Sequence, residues 1–305
     1  MSGDAASPAS PFSARTILIL VLVALFAFSA FVVLSTYAPD LREKEDGGAH
    51  ALSRSAIGFA GAVALLKAQG EPVLVSRAQK LDQTTASLVV LTPGPGNSAE
   101  DLSRLASDNI TLVVLPKWIA RPVPLHPGWV SKLGLVFEPA QPDDLLGKLA
   151  KASALAHRRG VGPATLRLAP RSKASTPEGR PIAFGAIRTG PIDRLQTLSG
   201  SGWLAVIVDE QGRAVVAQSA AHPDVYVLAD PDLLNTQGLA SLDTARAASA
   251  MVEVLRNSRD GVVFDVTLQG FGRSRSLAKL MLEPPMLGAT LCALAAALLM
   301  GAHAL

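Results

Sequence analysis

The segment Val225-Tyr-Val-Leu-Ala-Asp-Pro-Asp-Leu-Leu-Asn235 limits the possible folds more than any other stretch of the chain. It opens on five residues without a charge and without the polar alternation of a half-exposed strand. A strand of that kind is buried on both faces, as in a parallel sheet covered by helices. Asp230-Pro-Asp232 then closes it with a tight acidic turn. From Asp243 to about Arg256 the chain reads as an amphipathic helix, with Ala245, Ala248, Val252 and Leu255 along its buried stripe.

Further elements of the same type surround this unit. Ser55 to Gly70 predicts a helix capped by Ser53 or Ser55 and terminated by Gly70, with Gly58 and Gly61 allowing close packing on a neighbour. Pro72 to Ser76 predicts a short strand. Ser87 to Thr92 and Ile110 to Leu115 are apolar runs of the buried-strand type, separated by a helix that begins at Ser98-Ala-Glu-Asp101 with a capping signature. Strand, helix, strand at this spacing is a right-handed βαβ unit. Asp143 to Arg159 predicts another helix, carrying acids at its start and His157, Arg158 and Arg159 at its end. Leu204–Val208 and Ala214–Ala217 flank a short Gly-containing turn and predict a hairpin. Gly261 to Val266 predicts the last strand. The expected fold is therefore α/β, a mostly parallel sheet with flanking helices.

Composition adds a constraint at the two ends. Only 17% of the 305 residues are charged while 49% are hydrophobic, against about a quarter charged in an ordinary soluble chain. Residues 16–39 carry no charge, and at 1.5 Å per residue they would span roughly 36 Å, enough to cross a bilayer core. Residues 284–305 form a second such run. These are expected to be transmembrane helices, the first an uncleaved anchor rather than a signal peptide. The expected layout is a tail at 1–15, a span at 16–39, a linker at 40–49, the α/β domain at 50–268 with a basic, less regular insertion at about 116–200, a juxtamembrane linker at 269–283, and a span at 284–305 in a chain that continues past Leu305. That makes the protein integral to the cytoplasmic membrane, with the bilayer as one partner. Long domains translocate largely regardless of their charge, so the domain is expected on the extracytoplasmic side. The one cysteine, Cys292, lies in the second run, which leaves the domain without a thiol nucleophile or cysteine metal site.

The candidate sites are sparse. Gly94-Pro-Gly-Asn-Ser-Ala99 fits a dinucleotide fingerprint between strand and helix, but Pro95 removes an N–H that would face phosphate. Ser201 lacks the leading glycine of a nucleophile elbow. A Ser–His–Asp set using His222 and Asp230 rests on coincidence. Asp230, Asp232, Asn235 and Asp243 cluster in sequence and offer oxygen ligands to a cation or other ligand. The competing reading is structural: Asp230 and Asp232 accept backbone N–H groups in their own turn, and Asp243 supports a helix start. Acids at the carboxyl end of a strand nevertheless sit where α/β domains usually bind ligands. The nine basic residues between Lys151 and Gly200 suit a solvated face, anionic lipid or an acidic partner. Aromatic content of 5% and the lack of a reader motif argue against nucleic acid. No cofactor is expected.

Val227-Leu-Ala-Asp-Pro-Asp-Leu-Leu-Asn-Thr-Gln-Gly-Leu239, followed by Asp243-Thr-Ala-Arg246, resembles the membrane proteins of domain-of-unknown-function family 4350. The helix ending Ala64-Leu-Leu-Lys-Ala-Gln-Gly70 and the unit from Ser87 to Leu115 are similar to that family too. The resemblance implies a class I glutamine-amidotransferase-like, flavodoxin-like sheet between transmembrane helices, kinship with accessory domains of transport and gliding systems, and partners such as a MoxR-type AAA+ ATPase. Where the family pattern has an acidic residue and a histidine pair after the last strand, this chain has Phe264-Asp-Val-Thr-Leu-Gln-Gly270. The expected function is a non-catalytic, membrane-anchored interaction module in an envelope or transport-associated complex. A carboxylate-dependent hydrolase centred near Asp230 and a purely structural scaffold are the alternatives.

Overall fold

A computed structural model describes residues 47–77, 86–105, 109–137, 143–150, 153–170, 184–256 and 261–272, together with Val23, Phe26, Ala27 and Phe31. The chain divides into two units: Glu43–Arg273, and Met1–Arg42 with Ser274–Leu305. Of the second unit only the four early positions are described, and they are helical and exposed. The rest of the two expected spans lies outside the described residues. Among the described residues no helix is long and apolar enough to cross a membrane.

Among its described residues the larger unit holds fifteen strands in chain order: β1 (Val73–Ser76), β2 (Ala86–Leu91), β3 (Thr111–Val114), β4 (Trp118–Pro122), β5 (Val130–Leu135), β6 (Ala154–His157), β7 (Val161–Gly162), β8 (Thr165–Leu168), β9 (Ile187–Arg188), β10 (Ile192–Asp193), β11 (Gln196–Ser199), β12 (Trp203–Val208), β13 (Ala214–Ser219), β14 (Val225–Leu228) and β15 (Gly261–Asp265). Its α-helices are α1 (Ala60–Ala68), α2 (Ala99–Leu105), α3 (Asp143–Leu146) and α4 (Leu242–Leu255). The main sheet has eleven strands, with the central path β1-β15-β2-β3-β14-β13-β12-β8-β9 and with β11 and β6 attached through β13. Only β1, β15, β2, β3 and β14 are joined in parallel. Every other pairing in that sheet is antiparallel.

This corrects the expected mostly parallel, glutamine-amidotransferase-like or flavodoxin-like sheet between transmembrane helices. The sheet is mixed and strands dominate. Much of the difference lies in residues 116–200, where short strands such as β5, β6 and β8 alternate inward and outward. In β8, Leu166 is buried between exposed Thr165 and Arg167. In β6, Leu155 is buried between exposed Ala154 and Ala156. A period of two makes strands, whereas this region reads as helix or loop when charge alone is weighed. The helix expected at 143–159 stops at Leu146. Its second half is β6, paired antiparallel with β11.

The parallel strands carry the core. Their side chains alternate across the pleat, so one face collects Leu88, Val90, Leu112, Val114, Tyr226, Leu228, Val262 and Phe264 against α1 and α4. The other face collects Val89, Leu91, Val113, Val225, Val227 and Val263 against Leu102 of α2 and Leu145, Leu146 and Leu149. Burial on both sides is what the apolar runs require. Helix α4 buries Thr244, Ala247, Ala248, Met251, Val252 and Leu255, a stripe rotated slightly from the expected one. The start of α2 closes a capping box: Asp101 N–H donates to Ser98 Oγ at 3.4 Å and Ser98 N–H to Asp101 Oδ2 at 3.0 Å. Gly58 and Gly61 bring the entry to α1 against the acidic turn. Gly58 O accepts the Thr236 N–H at 2.8 Å, and a Cβ on Gly61 would stand 3.2 Å from the Thr236 backbone.

Candidate functional site

The acidic turn sits at the carboxyl end of β14, and its polar residues are buried: Asp230 at 0%, Asp232 at 3% and Asn235 at 0% relative exposure. Their principal partner comes from elsewhere in the chain. Lys117, between β3 and β4, reaches across with its side chain withdrawn from solvent. Its Nζ donates to Asp230 Oδ2 at 2.7 Å, to Asp232 Oδ2 at 2.8 Å and to the Asp193 carbonyl at 2.6 Å. An ammonium has three N–H donors, so the lysine is saturated.

Every carboxylate oxygen is also engaged by a protein donor. Asp230 Oδ1 accepts the Asp232 N–H at 2.9 Å, and its Oδ2 also accepts the Gln196 N–H at 2.7 Å. Asp232 Oδ1 accepts Trp118 Nε1–H at 2.9 Å and Asn235 Nδ2–H at 2.7 Å. Asn235 Oδ1 in turn accepts the Gly238 N–H at 2.9 Å. Gln196 fixes its own side chain by donating to the Ala229 carbonyl at 2.6 Å, while its Oε1 lies 2.8 Å from His157 Nε2. The cluster thus pins together the ends of two parallel strands and the start of β11, in the antiparallel half. A buried charge tolerates this setting only when it is paired and hydrogen-bonded.

Burial disfavours charge on Asp230 and pushes its carboxyl up to about 6, against the opposing pull of the Lys117 ammonium. Lys132, half-buried on β5, lies with Nζ 3.9 Å above the Trp118 ring, and burial draws its ammonium down from the ordinary value. The Arg194 guanidinium also lies over this ring, at 4.8 Å.

Three of the four expected site residues therefore converge, and the fourth does not. Asp243 lies exposed in the first turn of α4 beside Arg246, at 3.7 Å. Asp230 caps its own turn as the structural reading requires, but Asp232 spends its oxygens on Lys117, Trp118 and Asn235. Those partners were not legible as site residues. The one signal for Lys117 is a charge that directly follows the apolar run 110–115. Where a cation would sit between the two carboxylates, the lysine ammonium already sits. Among the described residues no group of three His, Cys, Asp or Glu is placed to hold a metal. His222 lies before β14 and Asp230 after it, so the imagined triad falls at opposite ends of a strand. The Gly94 turn is held internally, with Asn97 Oδ1 accepting the Gly94 N–H at 2.7 Å.

A crevice of about 280 Å³ opens beside the cluster, over the carboxyl ends of the parallel strands. Its walls are apolar for the most part: Ala49, Ile57, Phe59, Pro93, Ile119 and Pro231 contribute. Lys117, Trp118 and Asn235 form part of its lining, yet their polar atoms are turned into the cluster. Gln269 also lines this space, with its side-chain oxygen buried. Its Nε2 donates to Thr92, and its Oε1 has no partner.

A family model described as a domain of unknown function, DUF4350, matches residues 51–252. No curated protein matches the chain.

Proposed function

We propose, for a chain that belongs to the DUF4350 family, a binding module that holds an uncharged, mainly apolar ligand or peptide segment in the crevice and performs no chemistry on it. The observation that carries this reading is the closure of the Lys117–Asp230–Asp232 cluster. A general acid or base must reach its substrate, and both carboxylates are spent on protein donors. What the crevice offers is mainly apolar surface, the makeup of a binding pocket. The hydrolase alternative needs one of those carboxylates released.

The complex this module serves is sought at a membrane, because of the uncharged runs 16–39 and 284–305. An envelope or transport-associated assembly is the proposed setting, and a MoxR-type AAA+ ATPase is the partner that family resemblance suggests. Alkaline extraction of membranes tests the location: the chain stays with the pellet if the proposal holds and is released if it fails.

The crevice itself is tested by cross-linking in living cells. Ile57 is replaced by a diazirine-bearing aliphatic amino acid, and exposed Glu210 serves as the control position. The expected result is a discrete adduct from position 57 that disappears when Ala120→Trp fills the crevice. Equal, diffuse labelling at both positions contradicts a binding role and leaves the scaffold reading.

A further inference from the structure

The β4–β5 hairpin borders the crevice at its base, while its tip has features that the crevice does not use. From Lys117 to Phe137 the chain contains no Asp or Glu, while it carries Lys117, Arg121, His126 and Lys132. Lys117 and Trp118 anchor one end of the hairpin in the core. The other end projects Leu125 at 97% and Trp129 at 68% relative exposure. Ile119 and Leu133 add exposed apolar area along the strands. Arg121 is exposed and forms no ion pair among the described residues.

The tip is also rigid. Val123 N–H donates to the Trp129 carbonyl at 2.9 Å, Trp129 N–H to the His126 carbonyl at 3.0 Å, and His126 N–H to the Val123 carbonyl at 3.2 Å. Pro124 and Pro127 restrict the chain between those bonds. Leu125 has φ of 63°, a left-handed conformation unfavourable for a branched residue. That strain holds an aliphatic side chain outward, where it gains no contact within the domain. Strained residues of this sort mark functional positions when the surroundings enforce them.

An outward tryptophan and leucine on a hydrogen-bonded turn, flanked by the exposed Arg121 and free of acids, match the interface of an anionic bilayer. Tryptophan favours the headgroup level, leucine the acyl boundary, and basic residues the negative surface potential. A protein partner would also cover apolar residues, but it does not call for the absence of acids along the whole hairpin. We infer that the β4–β5 hairpin is a lipid-docking element, its Leu125–Trp129 tip entering the interface of a membrane that carries anionic phospholipid. The inference is independent of any span at the chain ends, and its tip residues Leu125 and Trp129 do not line the crevice.

The test uses the full chain with Cys292→Ser and Leu125→Cys, labelled with an environment-sensitive fluorophore. It is reconstituted in phosphatidylcholine vesicles with or without phosphatidylserine. Gln211→Cys, in the exposed β12–β13 turn, is the control label. Expected is a blue-shifted emission from position 125, quenched by nitroxide-bearing lipid, in the phosphatidylserine vesicles. Arg121→Glu lowers the lipid-quenched fraction about fivefold or more, Trp129→Ser lowers it about tenfold, and position 211 stays accessible to aqueous iodide throughout. Both substituted side chains are exposed, so a normal far-UV spectrum is expected of each variant. The inference is overturned if the label at 125 remains as accessible to iodide as that at 211 in both vesicle types. It is equally overturned if protection appears only in native membrane extract and is abolished by protease, which assigns the hairpin to a protein partner.

Discussion

Lys117 Nζ lies 2.7 Å from Asp230 Oδ2 with both side chains wholly removed from solvent. The two residues come from the ends of neighbouring parallel strands, and nothing in the chain between them is needed to bring them together except the sheet. Their contact ties the strand register to the turn that follows β14. On the function proposed above, charges used to hold strand ends are withdrawn from chemistry.

Removing one partner leaves the others charged and buried. Lys117→Met is expected to lower unfolding free energy by about 3–5 kcal/mol. The triple substitution Lys117→Met, Asp230→Asn, Asp232→Asn removes every charge of the cluster with little change in volume. It is expected to cost less than the single substitution. Urea unfolding followed by circular dichroism measures both, and a triple variant less stable than Lys117→Met contradicts the pairing.

Asp230 also predicts a pH dependence. Burial pushes its carboxyl up to about 6 in the fold, above the ordinary carboxylate value of about 4 that it has when unfolded. Between those values the native state holds a proton that the unfolded state has lost. This group's contribution is therefore fully present at low pH and is lost as pH rises through about 6. Asp265 acts in the same direction, since burial raises its carboxyl too. The stability of wild type relative to Asp230→Asn is expected to fall from pH 4 to pH 7, because the asparagine does not titrate. A difference that is flat or rising over this range shows that Asp230 is held ionised.

Two glycines separate close approach from backbone conformation. A Cβ on Gly238 would fall 1.6 Å from the Asp232 carbonyl oxygen, so Gly238→Ala must displace the turn that carries the cluster. A loss of more than about 3 kcal/mol is expected. Gly70 ends α1 with φ of +83° and open space around it. Gly70→Ala is expected to cost only about 1 kcal/mol. Thermal melts of the two variants distinguish them, and similar losses contradict the geometry of the turn.

The parts of this fold that are readable from sequence are those whose physics is local. Uninterrupted apolar runs marked β2, β3, β14 and β15, Ser98 and Asp101 marked the start of α2, and Asp230-Pro-Asp232 marked its turn. Residues 116–200 were obscured because their strands are two to six residues long and carry arginine on the outer face, which hides a period of two behind a basic composition. Lys117 was missed for a different reason. A single lysine next to proline and tryptophan has no motif, and its partners lie 113 and 115 residues away. Only pairing of β3 with β14, residue Val114 beside Leu228, places them in contact.

The central claim is that the cluster builds the crevice and does not act in it. The most direct measurement is the cross-linking yield from position 57 in the Lys117→Met, Asp230→Asn, Asp232→Asn background, in cells, with folding verified by circular dichroism. The account predicts a folded protein whose adduct is unchanged in identity and within about twofold in yield. A folded variant that accumulates the adducted ligand in an unprocessed form, or that loses the adduct altogether, shows that those charges meet the ligand and contradicts the claim.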